Sequence, residues 1–153
     1  MSPHEFTEDQ LVEQPAIQLF ASMNWETVSA LEETFGPSGI LAREVSGDVV
    51  LTKRLSTAIR QLNATVDDAS VVAVIDEVTR DRSHMSVVDA NREIYALLKD
   101  GVPVSMPDPV TGGQKIERLR LVDWDVASNN DFLLVSQMTV TGDLYTCRPD
   151  LIG

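Results

Sequence analysis

The chain has 153 residues, 43% of them hydrophobic, with two histidines, one cysteine and a net charge of −12, which is enough for one domain with a real core. No apolar run approaches the ~18–20 residues needed to span a bilayer, the N-terminus lacks the basic and apolar parts of a signal peptide, and lone Cys147 excludes an internal disulfide, so a reducing cytoplasm is the expected compartment. The charge argues against a chain that grips DNA unaided, because phosphate binding needs Lys and Arg.

The first element is a helix. Thr7 suits its N-cap, Gln10 completes a capping box, and Phe6 and Leu11 are spaced as a hydrophobic staple. Leu11, Val12, Ala16, Leu19, Phe20 and Met23 then recur at helical spacing, and Pro15 should bend the helix or begin a second one. Asn24 is its expected stop. The stretch from Asn24 to Asp48 is irregular, with a strong breaker at Gly36-Pro37-Ser38-Gly39. Val49 to Leu62 carries a helical stripe, and Asp67 or Asp68 caps a third helix running through Val78. Val87 to Leu98 reads as a fourth, stopped at Gly101.

After Gly101 the period changes. Val102 to Met106 is extended, Pro107 to Gly113 is a loop, and Gln114 to Trp124 alternates through Arg118-Leu119-Arg120-Leu121. Asp131 to Thr141 puts Phe132, Leu134, Met138 and Val140 on one face and Asp131, Gln137, Thr139 and Thr141 on the other. Gly142 sits in a turn, and Leu144 to Cys147 opens another strand. Three consecutive strands with turn signals predict an antiparallel meander.

Charge follows the same division. Met1 to Asp48 holds nine acids and only Arg43, a net of −8, whereas the remainder is −4. Lys115, Arg118, Arg120 and Arg148 all fall in the strand-rich end. They are the candidate DNA contacts, with other domains supplying most of the affinity.

Chemistry centres on Arg148-Pro149-Asp150. Cleavage of a phosphodiester with a metal needs carboxylates to hold Mg²⁺, usually with a lysine nearby. An Asp ending one strand beside a Glu-x-Lys on the next meets that need, because alternation places Glu and Lys on one face. Taken alone, the Pro-Asp pair reads first as a strand-ending turn. Other constellations are weak. His4 and His84 are far apart with no partner at metal-ligand spacing, and Cys147 reads as a small buried hydrophobe. Thr111-Gly112-Gly113-Gln114-Lys115 has the composition of a phosphate-binding loop but precedes a strand and is best taken as a plain loop. Trp25 and Trp124 are expected in the core or an interface, and Gln137 either points toward an active site or lies on an ordinary exposed strand face.

Asn130, Phe132, Gln137, Gly142 and the run Arg148-Pro149-Asp150-Leu151 occur in an order and spacing that resemble the N-terminal domain of the restriction (R) subunit of type I restriction–modification enzymes. Upstream, Gln114 to Trp124, Asn91 to Tyr95 and Glu5 to Glu13 extend the resemblance over nearly the whole chain. The resemblance implies an α/β fold, with N-terminal helices followed by a β-meander, an incomplete PD-(D/E)xK nuclease core. It implies one nuclease-type domain over residues 1–153, mainly helical in 1–100 and mainly strands in 101–153. Asp150 matches the family's metal-binding and catalytic Asp. Glu13 matches the position where relatives of this fold carry a further acid near the metal, and it reads equally as a solvated helix acid. Mg²⁺ is the implied cofactor, with ATP used only by motor domains outside these residues. DNA and the modification and specificity subunits are the implied partners.

The Glu-x-Lys half of the signature and every motor motif are missing from these residues. The expectation is therefore an expressed fragment, a truncated gene product or one piece of a split subunit, inactive by itself. Two other classes stay open: a non-catalytic docking or assembly module of a restriction complex, and an acidic DNA mimic.

Overall fold

The computed structural model describes residues 7–153. The expected staple at Phe6, the residue His4 and the side chain of Gln10 lie outside the described residues. Proline shapes the first element. Pro15 has no N–H to donate and its ring crowds the carbonyl four residues back. The turn before it, Asp9–Glu13, widens to a π-helix closed by the Gln14 N–H on the Asp9 carbonyl, and an ordinary α-helix, α1 (Gln14–Ser22), begins there with Pro15 in its first turn.

Two compact units follow from the chain's contacts. The first gathers residues up to Leu51 with Asp131–Gly153. Its sheet has the order β1 (Glu26–Ser29), β4 (Leu133–Ser136), β7 (Leu151–Ile152). The central β4 runs parallel to β1, with Glu26 opposite Leu133, and antiparallel to β7, with Ser136 opposite Leu151. A short hairpin, β5 (Val140–Thr141) with β6 (Thr146–Cys147), stands apart from that sheet. Ala30, Leu41, Val135 and Met138 form the core, and Trp25 packs between the rings of Phe20 and Phe132, each 4.8 Å away. The helical stripe of the sequence is only partly buried: Ala16, Ile17 and Phe20 turn inward, while Leu11, Val12, Leu19 and Met23 are exposed.

The second unit spans Thr52–Asn130. It contains α2 (Thr52–Leu62), α3 (Asp68–Thr79), α4 (Val87–Asp100) and the antiparallel pair β2 (Val102–Pro107) and β3 (Gln114–Leu119). The cap expected at Asp67 is in place, and α4 begins with a cap at Ser86. Asp67 accepts from the Ser70 N–H at 2.7 Å and Ser86 from the Asp89 N–H at 3.1 Å. Gly101 ends α4 at φ +81°, where a side chain would meet the Leu119 carbonyl. Val102, Val104 and Met106 alternate inward to pack with Ile59, Val71, Val74, Leu97 and Leu119. The Asn63 amide joins α2 to residue 120, donating to the Ile59 and Arg120 carbonyls and accepting from the Arg120 N–H.

The mixed α/β class holds, with four α-helices and strands in small sheets among the described residues. The strand connections differ from a meander. The strand expected over Asp131–Thr141 breaks at Gln137, whose φ of +58° ends β4, and β4 takes its partners from β1 and β7 rather than from the next strand in sequence. The four residues of β1 are too few for a period-two signal. Cys147 is exposed, not buried, because it lies on a two-stranded ribbon with no layer over it. Trp124 is also exposed and donates its indole N–H to the Leu98 carbonyl. No helix among the described residues is long and apolar enough to cross a membrane.

Candidate functional site

Glu13 closes the π-helical turn, three residues before Ala16 and four before Ile17. That spacing puts it on the inward face, in line with Phe20, and it is half-buried. Asp150 immediately precedes β7 and is exposed. Between them lies Gln137. The β4–β7 ladder continues past Ser136 through the Gln137 N–H, which donates to the Asp150 carbonyl at 3.0 Å. The Gln137 side-chain Nε2 donates to Glu13 Oε2 at 3.1 Å, to Glu13 Oε1 at 3.3 Å and to Asp150 Oδ1 at 3.3 Å.

Two carboxylates 137 positions apart in sequence therefore converge on one amide nitrogen. Ionised carboxylates only accept, so they fix which end of the amide faces them. Beside the cluster is a cavity of about 550 Å³, lined in part by Asp9, Glu13, Thr27, Ser29, Ser136 and Gln137. Asp9 is held by the Gln14 amide at 3.0 Å.

The donor set is all oxygen and carboxylate-rich, which suits a hard cation such as Mg²⁺. Mg²⁺ keeps several waters and takes one or two protein carboxylates, so Glu13 and Asp150 fit it. No group of three or more His, Cys, Asp or Glu placed to hold a metal occurs among the described residues. The site is thus a pair of acids, not a closed protein cage.

The basic candidates have their own surroundings. Lys115 bonds Glu117 at 2.6 Å, and that contact raises its pKa. Arg118 donates to the Gly101 carbonyl at 3.2 Å, and the Arg120 backbone is held by Asn63. All three belong to the second unit, and Arg148 is exposed in the first. The chain's three lysines, Lys53, Lys99 and Lys115, all lie in the second unit. The loop over Thr111–Gly113 is closed on itself, with the Thr111 hydroxyl on Asp108 at 2.6 Å. His84 is exposed.

These features define a mixed α/β domain with an acidic pair at one end of a small sheet. The sequence model described as "Type I restriction enzyme R protein N terminus" matches residues 5–153. The chain belongs to that family and forms the N-terminal region of a type I restriction enzyme R protein. It is 33% identical over 143 residues to the type I restriction enzyme HindI endonuclease subunit of Haemophilus influenzae, a match covering 93% of this chain. The chain spans 13% of that relative's length. No solved structure matches it.

Proposed function

We propose that this chain is the nuclease-type part of a DNA-cleaving, ATP-driven restriction subunit, acting in the cytoplasm, in which Glu13 and Asp150 hold Mg²⁺ for phosphodiester hydrolysis. The observation that carries the reading is the meeting of these two acids, one from a helical turn and one from the residue before a strand, on the Gln137 amide. Similarity to an endonuclease subunit supports the reaction class. Mg²⁺ in this place supplies positive charge against the phosphate and lowers the pKa of the attacking water.

The chain's own residues have a narrower task. Glu13 and Asp150 present anionic oxygens to the cation. Gln137 sets their directions, and the Gln137 N–H on the Asp150 carbonyl ties Asp150 to β4. In the hydrolysis itself a water oxygen bonds to phosphorus, the bridging P–O bond breaks with its electron pair on the departing oxygen, which takes up a proton from solvent, and the attacking water's proton leaves to solvent or a base. No Glu-x-Lys occurs among the 153 residues and the site-bearing unit has no lysine. The chain by itself is therefore expected to leave DNA uncut in Mg²⁺. Recognition of the DNA site falls to the modification and specificity subunits, and ATP hydrolysis to motor domains outside these residues.

The test is Asp150→Asn in the native-length subunit, assembled with its modification and specificity partners and given ATP and Mg²⁺. Cleavage should fall by about 100-fold or more, the scale of losing a group that supports developing charge, while ATP hydrolysis persists. Glu13→Gln should act in the same direction with a smaller loss. Cleavage at the native rate by Asp150→Asn refutes the reading.

A further inference from the structure

We infer that Gln137 is a positioning residue of this site, whose neutral amide holds the Glu13 and Asp150 carboxylates converged without neutralising them, so that a divalent cation meets a formed pair. The inference rests on the proposed role of Glu13 and Asp150.

Two like charges that share one small region repel, and an open pair would swing apart into solvent, the more so because Asp150 is exposed. Something must donate to both. An Arg or Lys would do so most strongly, but it would also occupy the cation's place electrostatically. The unit that bears the site has two bases, Arg43 and Arg148. Arg43 is committed elsewhere, buried against Glu33. The donor at the pair is an uncharged amide, which leaves the negative charge intact.

The backbone points the same way. Gln137 has φ +58°, a conformation that non-glycine residues other than Asn, Asp and His seldom adopt. Strained residues of this kind cluster at functional sites. Here the kink does two things at once. It turns the side chain onto both acids, and it keeps the main-chain N–H on the Asp150 carbonyl at 3.0 Å. Asp150 is thereby gripped by one residue through both its carbonyl and its carboxylate.

The experiment measures Mn²⁺, as a paramagnetic stand-in for Mg²⁺, by the electron paramagnetic resonance signal of the unbound ion. It uses the native-length protein without nucleotide. Gln137→Gly removes the amide while tolerating the positive φ. Its Mn²⁺ dissociation constant should rise about 10-fold, the lower end of the effect of removing a group that orients metal ligands. Gln137→Glu places a third carboxylate on the pair. It should tighten Mn²⁺ binding and lower the thermal midpoint in the cation-free protein, with the deficit closing as Mn²⁺ is added. A purely structural Gln137 would give neither the tightening nor the closing deficit. Asp150→Asn separates the two claims. If it weakens Mn²⁺ binding while Gln137→Gly binds as the native protein does, the positioning role is overturned and the acidic site stands. If Asp150→Asn binds as the native protein, or the native protein binds no Mn²⁺, both are overturned. If the glycine variant does not fold, Gln137→Glu decides alone, and unchanged affinity overturns the inference.

Discussion

Arg43→Met tests the physical account of the site-bearing unit most directly. The Arg43 side chain is fully buried and the Glu33 side chain is 4% exposed. Its guanidinium meets both Glu33 carboxylate oxygens, through Nε at 2.9 Å and through Nη2. It also donates to the carbonyls of Ser46 at 3.2 Å, Asp48 at 3.1 Å and Thr139 at 3.0 Å, with its Cζ 5.5 Å from the Phe35 ring centre. One side chain thus fastens the irregular stretch after β1 to the segment that follows Gln137. Removing one partner of a buried ion pair costs about 3–5 kcal/mol, because the other charge is left without compensation. The three carbonyls each lose a bond worth about 1 kcal/mol. These terms overlap, so the upper half of the first range is the expected total. At a slope of about 2 kcal/mol per molar urea, the unfolding midpoint should fall by roughly 2 M. Each unit has its own tryptophan, Trp25 in the first and Trp124 in the second. Trp25 fluorescence in a Trp124→Phe background therefore reports on the right unit. Adding Glu33→Leu to Arg43→Met should recover much of the loss, since the stranded charge is then gone. A midpoint shift below about 0.5 M, or no recovery in the double variant, would refute the reasoning.

Three further outcomes follow from the second unit, read by unfolding in a Trp25→Phe background. Gly101→Ala forces a side chain onto a residue at φ +81° and a Cβ 2.8 Å from the Leu119 carbonyl oxygen. That extended positive-φ conformation, essentially restricted to glycine, alone costs about 1–3 kcal/mol, so a loss under ~1 kcal/mol would contradict the positive-φ turn between α4 and β2. Ser86→Ala removes the acceptor for the Asp89 N–H and should cost about 1 kcal/mol, and an unchanged thermal midpoint would show that the cap contributes nothing. The pH dependence comes from Asp123, whose pKa is held below its ordinary 3.8 first by the Asn129 amide and then by the Val126 N–H. A lowered carboxylate pKa gives stability that is complete above the unfolded-state value and lost as pH falls through the folded one. Stability should be level from neutral pH to about 5 and decline below about 4. The gap between native protein and Asp123→Asn should narrow over that same acid range, and a gap independent of pH would exclude this origin.

Helices were legible because each carries several signals at once. Around α3 and α4 the apolar spacing, the cap at Asp67 and the stop at Gly101 agree, and the structure places all of them as expected. The sheet was less legible. Its register depends on partners distant in sequence, and Glu26 to Ser29 pairs with Leu133 to Ser136 across an intervening unit. Four residues without alternation carry no sign of that. The break at Gln137 was hidden for a related reason. Glutamine is not a residue that announces a positive φ, so the run from Asp131 to Thr141 reads as one strand. The site was partly legible. Asp150 and Glu13 are visible through family resemblance, whereas their meeting on Gln137 is a tertiary fact. A local clue was available for Glu13: its spacing to Ala16, Ile17 and Phe20 sets it on the inward helix face.

The acidity of the chain becomes intelligible once divided by unit. The site-bearing unit holds twelve acids against Arg43 and Arg148, a net of −10, and the other unit is −2. Arg43 is buried in its ion pair, so Arg148 is the base this unit has left to meet a phosphate. Such a field raises the local concentration of divalent cations and opposes DNA at long range. Both effects fit the proposed function, in which Glu13 and Asp150 hold the cation and other parts of the assembly find the DNA. Lys115, engaged with Glu117, and Arg118, engaged with the Gly101 carbonyl, are placed as parts of the second unit's own fold. In the proposed function the affinity for DNA then has to come from the rest of the assembly, which brings the duplex to the acids against their repulsion. Cation binding and DNA delivery become linked, because each Mg²⁺ taken up by Glu13 and Asp150 removes part of the charge that resists the phosphate backbone.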